Sequence, residues 1–170
     1  MSIIDSLKNT LGLGARSNRY RIILNGVGGG PNGEYIDVLA KNTTIPGRSV
    51  ADIEVWNQGR LTVIAGDAAF DGTWSVTFMD TEDHMLRRKF IQWLEYIDSP
   101  LNHSRDATSH SDYMTTAEVH QLSTTTGNKT VGYVLEDVYP KSISESAMDD
   151  SNAELIEFTV EFNYTSWSIV

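Results

Sequence analysis

The sequence predicts a single β-rich domain with one long helix. Two observations carry this: about seven short segments alternate apolar and polar residues with period two, and one stretch after Asp80 changes to a period of 3.6. A third bounds it. With 170 residues, 40% of them hydrophobic and 21% charged, the chain has an ordinary globular composition and can bury roughly two-thirds of its unfolded surface.

At the start, Ser2 and Asp5 are spaced as a capping box, and Ile4, Leu7 and Leu11 share one helical face before Gly12 and Gly14 end the pattern. The spacing predicts a short amphipathic helix over 2–11. A strand follows at Tyr20 to Leu24, then the turn-rich loop "NGVGGGPNG" and a second strand at Tyr35 to Lys41. The stretch "TTIPGRSVADIEVWNQGRLTVIAGD", 43–67, reads as a long hairpin. It hangs on a Pro46-Gly47 turn, with strands at Val50 to Trp56 and Leu61 to Ala65 and permissive backbone at Gly59. In "TWSVTF", Trp74, Val76 and Phe78 alternate with polar neighbours and predict a half-buried strand.

The helix comes next, over about 81–98. Asp80 is placed as its N-cap and Asp83 at the third position; Leu86, Phe90, Trp93, Leu94 and Ile97 make the apolar stripe, and Ser99-Pro100 stops it. The polar run 101–112 reads as an irregular loop. Strands resume at Thr115 to Thr124 and Val131 to Tyr139, joined through "TTGNK". The chain closes on an alternating strand from Leu155 to Trp167.

Charge and composition exclude several functions. Lys and Arg number 13 against 23 Asp and Glu, a formal charge of -10, so binding nucleic acid through phosphate neutralisation is not expected. No cysteine is present, which rules out disulfides and thiolate chemistry. The start lacks a basic region followed by an apolar core, so no signal peptide and no membrane span are expected. The triplets at Asn42, Asn102, Asn128 and Asn163 are then read as chance matches to a glycosylation signal.

Catalytic constellations are weak. His103, Asp106, His110 and Asp112 offer metal-binding chemistry in one loop, but their spacing matches no helix face and no ligand motif. Ser104 and Ser109 lie near these histidines without the G-x-S-x-G turn of a nucleophile. "GVGGGPNG" resembles a phosphate cradle, but no Lys-Ser/Thr follows and no helix is expected to begin there. Glu82-Asp83 and Asp149-Asp150 read as solvated surface, and Trp56, Trp74, Trp93 and Trp167 are assigned mainly to core packing. No cofactor or catalysis is expected.

Open sheet edges remain, and proteins either blunt them or use them for assembly. At Ile45-Pro46-Gly47-Arg48, Gly66-Asp67, the helix reaching Trp93 and the closing "EFTVEFNYTSW", the chain resembles tail tube proteins of contractile-tailed bacteriophages. The resemblance runs from "NRYRIIL" through "AKNTTIPGRSV", "IAGDAAFDGTWSVTF", "EVHQL" and "VGYVLEDVYPKSIS" to the end. These proteins are related in fold to the Hcp tube of type VI secretion.

The resemblance implies two packed antiparallel sheets, with four strands per subunit joining an inner β-barrel in a hexameric ring. Stacked rings form a hollow conduit for genome delivery inside a contractile sheath. It assigns assembly contacts to Thr44, Ile45, Pro46, Gly47, Arg48, Val50, Ile53, Val55, Trp56 and Arg60, with Ile45-Pro46-Gly47 turning a hairpin that a neighbouring copy completes. Asp37, Glu54 and Glu118 are lumen candidates, on strands expected in the inner barrel. Arg87, Arg88 and Lys89 are candidates for the sheath. The implied partners are further copies of the chain, the tail sheath protein, the baseplate hub, the tail terminator, the tape-measure protein and passing double-stranded DNA. The implied location is the virion, after assembly in the host cytoplasm. The alternatives are the inner tube of a phage-derived injection or type VI-like particle, and a β-sandwich ligand-binding module.

Overall fold

The computed structural model describes residues 3–31, 33–101, 105–148, 151 and 153–170. In chain order its elements are α1 (Ile3–Leu11), β1 (Tyr20–Leu24), α2 (Gly33–Leu39), β2 (Ala40–Thr43), β3 (Arg48–Asn57), β4 (Arg60–Phe70) and β5 (Thr73–Met79). Then come α3 (Met85–Ile97), α4 (His110–Tyr113), β6 (Thr115–Leu122), β7 (Lys129–Ile143), β8 (Glu157–Asn163) and β9 (Ser166–Ile169).

Strand order is β1-β6-β7-β8-β5-β2, with β9 also on β7, while β3 and β4 pair only with each other. Every pairing is antiparallel. β7 serves two layers. Its first part pairs with β6 and β9, and from Tyr139 onward it pairs with β8. Between these parts, Thr115 faces Val138 and Ala117 faces Leu135, so β7 carries one extra residue. Asp137 takes a positive φ of 57° there. That bulge bends the strand from one sheet into the other. The result is two packed antiparallel layers sharing a strand, as the resemblance implied.

Alternation builds the core. Trp74, Val76 and Phe78 of β5 face Phe162, Val160 and Phe158 of β8 in register, and all six are buried. α3 lays Leu86, Phe90 and Trp93 on this stripe, where Phe90 meets Phe78 at 5.3 Å and Phe162 at 5.8 Å between ring centroids. Trp93 Nε1 donates to the Tyr113 carbonyl at 3.0 Å. Ile22, Leu24, Ala117, Val119 and Leu135 close the core from the other layer.

Four expectations are corrected. The strand expected from Tyr35 to Lys41 is the helix α2, followed by the short β2. Ile36 is buried and Leu39 and Ala40 pack on the core, so the apolar residues satisfy helical spacing once β1 lies beneath them. Asp37 secures this arrangement: its carboxylate accepts from Arg21 Nε at 3.1 Å and from the Ile22 amide at 3.0 Å. α3 starts four residues later than 81. His84 is its N-cap with φ 50°, and Thr81–His84 form a separate turn closed from the His84 amide to the Thr81 carbonyl.

The loop over 101–112 contains the one-turn helix α4. The closing strand is two strands, because Tyr164 and Thr165 turn the chain from β8 onto β9 through bonds to the carbonyls of Gly72 and Glu136. Among the described residues, α1 and α3 are thus accompanied by two further short helices, α2 and α4. Ser2 of the expected capping box lies outside the described residues.

Candidate assembly surface

The hairpin β3–β4 is the most unusual part of the molecule. Its turn is Gln58-Gly59, both at positive φ (49° and 78°), a two-residue reversal whose twist matches the strands. Pro46-Gly47 therefore does not turn the hairpin but anchors its root. Trp167 Nε1 donates to the Gly47 carbonyl at 3.0 Å, and Trp74 Nε1 donates to Thr43 Oγ1 and the Thr44 carbonyl. Phe70 packs edge-on to Trp167 at 6.1 Å, with Arg48 5.4 Å above the Phe70 ring.

Pro46 is buried at this root, and Ile45 and Thr43 border a small slot beside Tyr20 and Tyr133. From it the strands project about 30 Å at ordinary strand rise. The "AGD" stretch is a bulge: Val50 faces Ala68 and Asp52 faces Ala65, leaving Gly66 and Asp67 of β4 against Ala51 alone of β3. At Gly66 a Cβ would lie 2.9 Å from Ile53 Cγ1, so the bulge needs glycine.

Beyond the root, among the described residues, β3 and β4 form a sheet of their own and pair with no other strand. Pleating puts Trp56, Leu61 and Val63 on one face with Glu54 and Asp52, and Ile53, Val55, Thr62 and Ile64 on the other. Val50, Ile53, Val55, Trp56, Leu61, Val63 and Ile64 are 43 to 67% exposed. Both faces are apolar and both outer edges carry unpaired backbone groups. A lone two-stranded ribbon is marginally stable in water, so this element calls for covering partners. Burying these seven side chains would contribute on the order of 10 kcal/mol before ordering costs. Thr44, Ile45, Pro46, Gly47 and Arg48 sit at the root, and Val50, Ile53, Val55, Trp56 and Arg60 run along the hairpin to its turn.

A second apolar surface lies along α3. Ile91, Leu94 and Ile97 of α3, with Pro100, Tyr139 and Pro140, line a groove of about 530 Å³, rimmed by Glu95, Asp98 and Lys141. A third is α1, which buries none of its residues. Its Ile3, Ile4, Leu7 and Leu11 are all at least 60% exposed.

The other candidates separate. Asp37 is on a helix and bound to Arg21, not on a barrel strand. Glu118 is on β6 and pairs with His120 Nε2 at 2.7 Å; Glu54 is exposed on the hairpin. Arg87 is occupied: its guanidinium donates to Ser146 Oγ and the Ser144 carbonyl and lies over the Phe158 ring. Arg88 and Lys89 flank a shallow depression beside Met85 and Gln92.

Asp112 serves as a cap, accepting from Thr108 Oγ1 and from the amides of Thr108 and Ser109. The Thr108 hydroxyl, then the Ser109 amide, hold its carboxyl below the usual range. Asp83 behaves alike at α3, accepting from Thr81 Oγ1 at 2.6 Å and the Met85 amide. His103 and Ser104 lie outside the described residues, as do Asn102, Asp149 and Asp150. Among the described residues no group of His, Asp and Glu is placed to hold a metal.

A helix does begin after "GVGGGPNG", contrary to expectation. Yet the loop closes on itself, with Gly26 and Gly30 amides donating to the Pro31 and Val27 carbonyls. Trp74 and Trp93 are core, Trp167 is half-buried, and Trp56 alone of the four is exposed, so they form no platform.

The phage tail tube protein family model matches residues 15–170. The tail tube protein gp19 of Enterobacteria phage T4 is 27% identical over 154 residues, covering 90% of each chain. A chain of the sheath-tube complex of an extracellular contractile injection system in its extended state superposes with TM-score 0.67 at 7% identity, covering 100% of this chain and 99% of that one. An Hcp protein superposes with TM-score 0.51 at 14% identity, over 89% of this chain and 98% of that one.

Proposed function

The chain belongs to the phage tail tube protein family, and we propose that this contractile-tail tube subunit closes into hexameric rings whose stacking makes a conduit for genome delivery. The observation that carries the assembly reading is the free hairpin, apolar on both faces and open at both edges. Strand addition from neighbouring copies satisfies those edges, and closure into a barrel leaves none exposed. A ring needs one heterologous interface that closes, and stacking needs a second that repeats. Root residues Thr44 to Arg48 hold the hairpin; Val50, Ile53, Val55, Trp56 and Arg60 make the contacts.

In this reading four strands of each copy join the inner barrel, and Glu54 and Glu118 contribute to a negative lumen through which the tape-measure protein and double-stranded DNA pass without sticking. Arg88 and Lys89 face the sheath, while Arg87 acts within the subunit. The baseplate hub and tail terminator cap the two ends. The role is structural rather than catalytic, and the protein resides in the virion after assembly in the host cytoplasm. The same fold also suits the inner tube of an injection particle. The burial of Trp74 and Trp93 in the core gives the ligand-binding alternative no support.

Negative-stain microscopy of the purified chain, alone and nucleated on a baseplate, tests the proposal. Rings or tubes are expected. A strictly monomeric species at high concentration, with a baseplate present, would overturn it.

A further inference from the structure

We propose that α1 of one copy docks its apolar face into the α3–β7 groove of the next copy along the tube, an inference that rests on the tail tube reading. The family match begins at residue 15, so α1 lies outside it. The helix has only 9 residues, shorter than the roughly 12–15 needed for marginal stability in water. With no residue buried in its own subunit, it needs a surface to hold it.

The groove fits in character and charge. It is predominantly apolar, and Glu95 and Asp98 outnumber Lys141 on its rim. At 100° per residue, Ile3, Ile4, Leu7 and Leu11 span one face of α1, Lys8 borders that face, and Asp5 points away from it. Docked with Lys8 toward Glu95 and Asp98, α1 sets its only cation against the two acids of the rim. Asp98 already has Arg105 at 3.7 Å, which leaves Glu95 as the better match.

The placement of α1 points to a groove on another copy. The segment joining α1 to β1 is fastened near the β6–β7 turn: Gln121 Nε2 donates to the Arg16 and Arg19 carbonyls, and Leu11 and Leu13 lie beside Leu122 to Thr125. The groove uses Tyr139 and Pro140, eight and nine residues further along β7 than Val131, the partner of Gln121, and past the bulge that bends the strand. From Arg16 the chain to Leu11 extends at most about 17 Å, and α1 adds about 13 Å end to end. In this arrangement α1 sits beside the β6–β7 turn, and none of its residues lines its own subunit's groove. With the helix at one end and the groove at the other, the contact is head-to-tail and repeats along an axis.

The absence of cysteine makes this directly testable. A size-tagged Leu7→Cys chain is assembled with an Ile91→Cys chain, treated with a short bismaleimide and resolved by mass, with tubes checked by microscopy in the same sample. The expected product is the mixed dimer, lost when the Leu7→Cys chain also carries Ile4→Asp. The Leu7→Cys/Ile91→Cys double variant should give a ladder of linked chains. Tubes without mixed dimer, or a double variant linked only within single chains, overturn the docking and leave the tube reading standing. Failure of the unmodified chain to form tubes removes both.

Discussion

At the scale of single residues, Tyr164 is the clearest misfit. Its hydroxyl is buried with no hydrogen-bond partner among the described residues, and an unsatisfied buried hydroxyl costs about 1–3 kcal/mol. Tyr164→Phe should therefore be neutral or stabilise the monomer by up to about 1 kcal/mol, read as a rise in melting temperature. Burial pushes this phenol above its ordinary value, with the nearby Gly72 backbone opposing it and the Asp71 carboxylate adding to it. Burial, with Asp37 second, does the same to Tyr20, which donates to the Ala40 carbonyl at 3.1 Å. A folded pKa above the unfolded one means the folded state holds its proton longer. The stabilisation is complete below about pH 10, the ordinary phenol value, and is lost as pH rises through the folded values. Alkaline melts of the parent should thus steepen above pH 10, and Tyr164→Phe should blunt that loss. An unchanged alkaline limb would show that Tyr164 does not carry it.

At the scale of elements, the hairpin separates folding from assembly. Ile53 and Ile64 face each other across β3–β4 and are about half exposed, so Ile53→Asp should change monomer stability by less than about 0.5 kcal/mol. In an assembled tube it would bury an unpaired charge, and polymerisation should be blocked while the monomer's circular dichroism and melting stay unchanged. Normal tubes from Ile53→Asp would remove the hairpin from the assembly contacts. Elements with their own periodicity were legible from the sequence: β5 through Trp74, Val76 and Phe78, α3 through Leu86, Phe90 and Trp93, and both hairpin strands. Elements set by tertiary contact were not. α2 reads as a strand until β1 lies beneath Ile36 and offers Asp37 its partners; the start of α3 depends on His84 adopting a left-handed backbone, which its sequence does not announce. Pro46-Gly47 suggested a turn because of its residue types but forms the root, whereas Gly59, read as the permissive joint between the strands, lies in the turn Gln58-Gly59. The groove and its distance from α1 were invisible, since they join residues of α3 with residues of β7.

At the scale of the whole molecule, charge and apolar surface oppose each other. Each copy carries a formal -10, so every addition to a growing tube brings like-charged bodies together. The hairpin offers apolar area whose burial salt does not weaken, with Asp52, Glu54 and Asp67 on it outnumbering Arg48 and Arg60. Screening should therefore help. The Debye length falls from about 30 Å at 0.01 M salt to about 10 Å at 0.1 M, so repulsion between neighbouring copies declines over that range while apolar contacts persist. Elongation, followed by light scattering from fixed baseplate seeds, should accelerate several-fold between those concentrations. The Lys8–Glu95 contact proposed for α1 works against this trend, and being a single surface pair worth about 0.2–1 kcal/mol, it should not reverse it. Binding of double-stranded DNA by phosphate neutralisation has the opposite dependence, weakening as salt rises. Elongation that slows with salt would mean that ion pairs rather than the apolar hairpin hold successive copies together, and the assembly surface would then have to be sought among the charged residues.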